Sequence, residues 1–136
     1  MSNSGEFFIQ LEGGDDWSVE FPEDNITMSL DLEPVGPTLY RIVTVPLMIE
    51  SPRFGDVIEA EQKGDRELRF LRVVEQGDWR IFDFLISEEM AGSERVKRVC
   101  EKVILLGGHC ERVFGGILLL CLPPASDYDP TADLMT

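Results

Sequence analysis

Carboxylates are the residues of this chain whose number and spacing most suggest chemistry. Residues 11–25 read LEGGDDWSVEFPEDN, and residues 1–40 contain nine acidic residues and no lysine or arginine. Such groups could act as acids and bases, bind a divalent cation, or form a charged surface. The chain has no Asp-x-Asp-x-Asp-Gly loop with a closing glutamate, and neighbouring strand residues point to opposite faces. No signal places two carboxylates across a cleft. We therefore expect no metal and no cofactor.

The other reactive residue types are sparse. His109 is the only histidine and stands beside Cys110, which is too few ligands for zinc, so we expect His109 to be a loop residue. No serine lies in a Gly-x-Ser-x-Gly setting, and the glycine pairs lack the lysine of a phosphate-binding loop. Cys100, Cys110 and Cys121 are odd in number and have apolar neighbours, which predicts reduced core residues. These observations favour a protein that is not an enzyme.

Asp83 interrupts an otherwise apolar segment, residues 79–86. A carboxylate in such a segment must be paired or lie at the rim of the core. We expect an ion pair with one of four arginines, Arg41, Arg69, Arg72 or Arg80. A catalytic Asp83 with an arginine partner is the weakest of the functional alternatives.

The first two thirds of the chain show the alternation of antiparallel strands. Phe7, Ile9 and Leu11 share one parity, Gly13-Gly14 forms a turn, and Trp17, Val19 and Phe21 continue the apolar face. Further strands are predicted over residues 27–35, 39–48, 56–62 and 67–75. Pro46 indicates an edge or a bulge in the second of these. Gly77-Asp78 predicts a tight hairpin leading into a strand over residues 79–86.

The pattern becomes helical after residue 87. Ser93 is a suitable N-cap, and Val96, Val99, Cys100, Val103 and Ile104 recur at helical spacing until Gly107-Gly108. Two strands follow, residues 110–114 and 117–122, joined by Gly115-Gly116. The second is apolar throughout, which suits a strand buried on both faces.

These elements predict an α+β fold in a single domain, residues 1–136. Mostly antiparallel strands in a small barrel or curled sheet are followed by a split β-α-β-β layer with one main helix. The predicted parts are an acidic N-terminal hairpin (1–26), an antiparallel β half (27–78), a β-α-β-β half (79–124) and an acidic tail (125–136).

Three stretches of the chain carry a resemblance to a known family. They read GPTLYRIVTVPLMIESPRFGDVIEAE, LRFLRVVEQGDWRIF and LLGGHCERVFGGILLLCLP. Their motif residues are Tyr40-Arg41, Pro46, Gly55-Asp56 through Ala60, and Gly115-Gly116. Over residues 30–125 the chain resembles the bacterial domain-of-unknown-function family 4265. Thr44 replaces the family's asparagine, and Gln76-Gly77-Asp78-Trp79 replaces a polar patch, so any chemistry at that patch would be lost here. The resemblance implies a fold and no activity.

The net charge of −14 disfavours binding to nucleic acid or to an anionic membrane surface. Residues 1–6 lack the basic, apolar character of a secretory signal, and the longest apolar run, residues 117–122, is too short to span a membrane. We therefore expect a soluble cytoplasmic protein.

The segregation of the acids suggests a function. A surface of one charge beside aromatic residues suits a binder of a basic protein. Our hypothesis is a non-catalytic protein-binding domain, in its concrete form an immunity- or antitoxin-like inhibitor of a basic toxin or nuclease. The predicted partner-binding residues are Asp15, Asp16, Trp17, Glu20, Glu23 and Asp24. Trp17 would serve as an anchor only if its ring lies at the surface. The alternative is a small regulatory or metabolite-binding domain that acts as a homodimer.

Overall fold

Five strands with apolar residues at every second position build the first unit of the chain. The computed structural model describes residues 15–135, of which Asp15 and Met135 are described by their backbone alone. The strands are β1 (Asp15–Phe21), β2 (Ile26–Pro34), β3 (Leu39–Ile42), β4 (Val57–Gly64) and β5 (Glu67–Glu75). Within the described residues this unit comprises residues 15–78, and a second unit comprises residues 79–135.

The five strands close into a barrel. Each strand is antiparallel to the one before it, so the fifth runs in the same direction as the first, and β5 closes the barrel by parallel pairing with β1. Ser18 stands opposite Glu67, and Glu20 opposite Arg69, across this seam. The inward-facing residues form one apolar core, namely Val19, Phe21, Leu30, Leu32, Tyr40, Ile42, Ile58, Ala60 and Leu68.

Tight turns join β1 to β2 and β4 to β5. A 3₁₀ turn, Pro22–Asp24, connects β1 to β2, and it ends at Asn25, whose left-handed backbone (φ 55°) lets its N–H donate to the Pro22 carbonyl at 3.2 Å. Asparagine tolerates this conformation better than most residues. Asp65 and Arg66 join β4 to β5 directly, because Gly64 pairs with Glu67.

The loop between β3 and β4 is longer than the sequence predicts. A strand was expected over residues 39–48, but β3 ends at Ile42. Pro46, which has no N–H for a sheet ladder, lies buried in the loop. The loop is held by Asp56, 5% exposed, whose carboxylate accepts hydrogen bonds from the N–H groups of Arg53 and Gly77, both at 2.9 Å.

The predicted hairpin at Gly77-Asp78 is wrong. The strand that follows, β6 (Arg80–Leu85), pairs with β8 (Ile117–Leu122) and not with β5, so residues 76–79 connect two separate sheets. Asp78 has a left-handed backbone (φ 58°), as tight turns also require, and the Gly77 N–H is used by Asp56.

The second unit contains a three-stranded sheet and three helices. They are β6 (Arg80–Leu85), α1 (Glu88–Ala91), α2 (Glu94–Leu105), β7 (His109–Val113), β8 (Ile117–Leu122) and α3 (Thr131–Met135). The antiparallel sheet has the order β6-β8-β7. β8 is therefore central, and its five residues 118–122 are buried, which confirms the expectation for this apolar strand.

Helix α2 is amphipathic and packs on one face of this sheet. Ser93 caps it by accepting a hydrogen bond from the Val96 N–H at 3.3 Å, as predicted. Its apolar stripe, Val96, Val99, Cys100 and Val103, joins a core with Leu118, Leu120 and Leu122. Ile104, expected in this stripe, is 41% exposed. The helix ends before Gly107, whose φ of 87° favours glycine.

The structure confirms the predicted α+β class with a small barrel and a β-α-β-β layer. The three cysteines are buried and are not joined by a disulfide. The predicted first strand and turn of the N-terminal hairpin lie outside the described residues, whereas the predicted second strand is β1. No helix in the described part of the chain is long and apolar enough to cross a membrane.

Candidate functional site

The predicted acidic residues divide between two places on the barrel. Asp16 and Glu20 point outward from β1 and are exposed, as the alternation of the strand requires. Asp16 accepts a hydrogen bond from the Ser29 hydroxyl, and Glu20 accepts one from Nε of Arg69 at 3.4 Å. The side chain of Asp15 lies outside the described residues. On β1, therefore, Asp16 and Glu20 already have partners within the barrel.

Trp17 does not share the outward face with these acids. It lies on the inward parity with Val19 and packs, half-buried, against the barrel core. Its ring meets Tyr40 edge-on at 5.2 Å between centroids, and the guanidinium of Arg66 lies 4.9 Å from its centroid. These contacts make Trp17 part of the barrel wall. The predicted anchor role required the ring to lie at the surface beside the acids, and this condition is not met.

Glu23 and Asp24 are placed differently, because the β1–β2 turn carries them to the rim of a groove. The groove has a volume of about 620 Å³. Residues 48–51 of the β3–β4 loop form its other rim. Its lining consists of Phe21, Glu23, Asp24, Met48, Ile49, Glu50, Ser51 and Phe70. We call this feature the acidic groove.

The acidic groove combines an apolar wall with carboxylates of one sign. The rings of Phe21 and Phe70 lie 5.2 Å apart at an interplanar angle of 42°. Glu23, Asp24 and Glu50 are exposed, and among the described residues none of them has an ion pair or a side-chain hydrogen bond. Among the residues that the structure describes, no lysine or arginine lines the groove. Such a surface can hold the aliphatic stem of a lysine or arginine on its apolar wall and the charged head among its carboxylates.

Six of the eight lining residues of the groove were not among the predicted partner-binding residues. Met48, Ile49 and Glu50 lie about 25 positions from Glu23 in the sequence, and only barrel closure brings the two loops together. One local signal exists, since Met48 has a left-handed backbone (φ 73°) and is 81% exposed. An unbranched apolar residue in this conformation on a loop surface is uncommon.

The barrel arginines neutralise carboxylates elsewhere on the barrel. Arg41 pairs with Glu33 at 3.2 Å, and Arg72 pairs with Glu59 at 2.9 Å. Arg69 contacts both Glu20, at 3.4 Å, and Glu61, at 3.7 Å. Each pair bridges neighbouring strands. Uncompensated negative charge at the groove therefore contrasts with balanced charge on these strands.

The ion pair predicted for Asp83 is wrong. Asp83 is exposed on β6, opposite Leu119, and forms no ion pair within the described residues. Of the four candidate arginines, Arg80 lies on the same strand, and it donates instead to the carbonyls of Ser126 and Tyr128, both at 2.8 Å. Residues 80 and 83 differ in strand parity and point to opposite faces of the sheet. The rim position that the sequence also allowed is the one observed.

The prediction for His109 is also wrong. It is not a loop residue but the first residue of β7, 1% exposed, with Nε2 at 2.8 Å from Oε2 of Glu111. Residues two apart on a strand share a face, which places this pair side by side. Among the described residues, no group of three or more possible ligands is arranged around a metal position.

The motif residues of the family resemblance have structural roles. Gly55 adopts a left-handed backbone (φ 89°) and donates its N–H to the Ile42 carbonyl at 2.8 Å. Asp56 holds the β3–β4 loop, Tyr40 is buried in the barrel core, and Arg41 pairs with Glu33. Gly115 has φ 75° in the β7–β8 turn. Gly55, Asp56 and Gly115 serve the backbone and Tyr40 the core, whereas Arg41 forms a partly exposed ion pair.

Comparisons with known proteins add a fold and no activity. No family model matches the chain, so the resemblance to family 4265 stays a prediction. No curated protein matches it. Among solved structures, the chain is similar to a hypothetical protein from Neisseria gonorrhoeae, with a TM-score of 0.56 and 13% identity over 93% of this chain and 84% of that one. At this identity the likeness concerns the fold alone.

Proposed function

We propose that this protein is a non-catalytic binding domain that docks a basic protein through the acidic groove. The observation that carries the proposal is the uncompensated charge of Glu23, Asp24 and Glu50 around an apolar wall. In its concrete form, the domain is an immunity- or antitoxin-like inhibitor that covers the basic cleft of a toxin or nuclease.

The acidic groove is complementary in charge to a basic protein. Opposite charges across an interface accelerate encounter and select the partner, while the apolar wall supplies burial. A groove of about 620 Å³ falls within the usual size range of ligand sites, and it suits one or two basic side chains of a protruding loop. Asp16 and Glu20, on the outward face of β1, would contribute long-range attraction and no direct contact.

The proposal is tested by neutralising the groove. We expect the triple variant Glu23→Gln, Asp24→Asn and Glu50→Gln to lose capture of basic proteins from an extract of the native host. The matched control, Glu88→Gln, Glu89→Gln and Glu101→Gln, removes the same charge from exposed helical positions and should capture as the unmodified protein does. Capture should weaken steeply with salt, because the Debye length falls from about 10 Å at 0.1 M to about 3 Å at 1 M.

The captured protein then provides a second readout. Stoichiometric addition of this domain should inhibit a captured nuclease or toxin, and the groove variant should fail to inhibit it. Equal capture by the unmodified protein, the groove variant and the control would contradict the proposal, as would capture that is insensitive to salt.

A further inference from the structure

Helix α2 presents a row of basic side chains on a strongly acidic protein. Arg95, Arg98 and Lys102 are spaced three and four residues apart, so they share one side of the helix. The apolar stripe of the helix, which includes Val99, packs on the sheet. The three cations therefore stand beside the apolar stripe, at the border where the helix meets the C-terminal segment.

These cations line a pocket of about 340 Å³. Its lining consists of Arg95, Arg98, Val99, Lys102, Tyr128 and Asp133. Nζ of Lys102 lies 4.2 Å from the centroid of the Tyr128 ring. The Tyr128 hydroxyl donates to Oδ2 of Asp133 at 2.6 Å. We call this feature the basic pocket.

Tyr128 is held in place from two sides. Its carbonyl and that of Ser126 accept hydrogen bonds from Arg80 on β6, both at 2.8 Å. Leu134 of α3, which is buried, anchors the segment that follows. Burial and the hydrogen bond to Asp133 raise the pKa of the Tyr128 phenol well above its usual range. These contacts hold Tyr128 in position without a ligand.

The charge of the basic pocket is not balanced by its own carboxylate. Arg95, Arg98 and Lys102 form no ion pair with any described residue. The polar contact of Arg98 is a long one, 3.5 Å from Nε to the Glu94 carbonyl of the same helix. Three cations and the one carboxylate of Asp133 leave a formal excess of two positive charges.

A neighbouring groove is lined by equal numbers of positive and negative side chains. This groove, of about 510 Å³, shares Arg95 and Arg98 but is also lined by Glu89 and Glu94. Two cations there face two carboxylates, which gives no net attraction for an anion. Arg95 and Arg98 border both sites, and a formal excess of positive charge arises on the Tyr128 side, where Lys102 is added and Asp133 is the one carboxylate of the lining.

We propose that the basic pocket binds a small molecule that carries a phosphate monoester. A phosphate monoester has a charge of about −1.5 to −2 at pH 7, which matches the excess in the pocket. Arginine forks suit phosphate oxygens, and Lys102 adds a point charge. Val99 and the Tyr128 ring offer an apolar wall to a short organic body, in keeping with the small volume. The net charge of −14 acts at long range and is screened beyond about 8 Å at physiological salt, so it opposes contact pairs only weakly.

The test is a titration of the isotopically labelled full chain with phenyl phosphate, followed by NMR. We expect shifts at Arg95, Arg98, Val99, Lys102 and Tyr128, and a weaker response of the same residues to inorganic phosphate. Arg98→Ala should weaken binding at least about tenfold, because a charge-assisted contact is lost and alanine preserves the helix. The control Lys97→Ala removes an exposed cation of the same helix that does not line the pocket, and it should bind as the unmodified protein does.

Four results would overturn the proposal. They are an absence of shifts with phenyl phosphate, equal weakening by Lys97→Ala, benzoate binding as tightly as phenyl phosphate, and binding to phosphatidic acid vesicles without binding to phenyl phosphate in solution. The last would assign the pocket to a lipid headgroup. The variant Glu23→Gln, Asp24→Asn and Glu50→Gln should bind phenyl phosphate normally, so failure of one site leaves the other testable.

Discussion

The basic residues of the barrel and those of helix α2 are used in different ways. Arg41, Arg69 and Arg72 contact carboxylates on neighbouring strands at 2.9 to 3.7 Å. Arg95, Arg98 and Lys102 form no ion pair with any described residue and converge on a pocket. The same residue types therefore link strands in one unit and line a cavity in the other.

The two units differ in which of their charged side chains lack an oppositely charged partner. On the barrel strands, the arginines form cross-strand ion pairs away from the acidic groove. Glu23, Asp24 and Glu50 therefore have no cationic partner among the described residues. On α2, the helical spacing collects cations on one side, and Asp133 offsets only one of them. A chain with a net charge of −14 thus carries a negative site in one unit and a positive site in the other.

The largest effect is expected from a steric clash at the end of α2, the helix that carries the cations of the basic pocket. A Cβ added at Gly108 would lie 2.4 Å from the Cys121 carbonyl oxygen and 2.9 Å from that of Val103. Because backbone cannot yield as a side chain can, Gly108→Ala should cost about 3 kcal/mol or more in urea unfolding.

Gly92 offers the matched control, because a Cβ added there would meet no atom within 4 Å and its φ is −92°. Gly92→Ala should leave stability unchanged or raise it by up to about 1 kcal/mol. Similar unfolding free energies for Gly108→Ala and Gly92→Ala would contradict the packing described for the end of α2.

The second effect concerns the support of the acidic groove. Asp56 is buried and accepts two backbone hydrogen bonds that hold the loop carrying residues 48–51. Asp56→Ala leaves two N–H groups without their acceptor and should cost about 2 to 4 kcal/mol. Chemical denaturation measures this loss. Asp65→Ala, at an exposed turn position, should change stability by less than about 0.5 kcal/mol, and equal losses would show that the loop is held in another way.

The smallest effect separates the two kinds of arginine. Arg69→Met removes contacts to Glu20 and Glu61 and should cost up to about 1 kcal/mol, an upper value because the pair is partly exposed. Arg98→Met removes no ion pair and should be neutral within about 0.5 kcal/mol. Thermal unfolding at low and high salt would detect the difference, which should shrink with salt. A larger salt-dependent loss for Arg98→Met would contradict the contrast between the two units.

Local patterns in the sequence predicted most of the elements. Alternation marked β1, β2, β4 and β5, and the Ser93 cap with its apolar spacing marked α2. The role of Gly77-Asp78 could not be predicted from the local sequence, because the same turn residues suit a hairpin and a connection between two sheets. The predicted layer over residues 79–124 grouped β6 with β7 and β8, but it did not specify their order, because strand partners depend on contacts that are distant in sequence.

The acidic groove was predicted only in part, because its two rims come from segments that are distant in sequence. Glu23 and Asp24 were identified from charge segregation, which is visible in the sequence. Glu50 was not, because its placement depends on closure of the barrel. Trp17 was assigned to the surface only conditionally, and the strand parity that places it on the barrel core was itself readable. His109 was missed because nothing local distinguishes the end of a loop from the first residue of a strand.

Partner binding is proposed for the acidic groove and not for the acidic surface as a whole. NMR mapping of a short peptide rich in arginine and lysine on the labelled protein separates these two possibilities. We expect shifts confined to residues 21–24, 48–51 and 70, which diminish as salt is added. Shifts centred on Asp16 and Glu20, or spread evenly over the exposed carboxylates, would contradict the proposal.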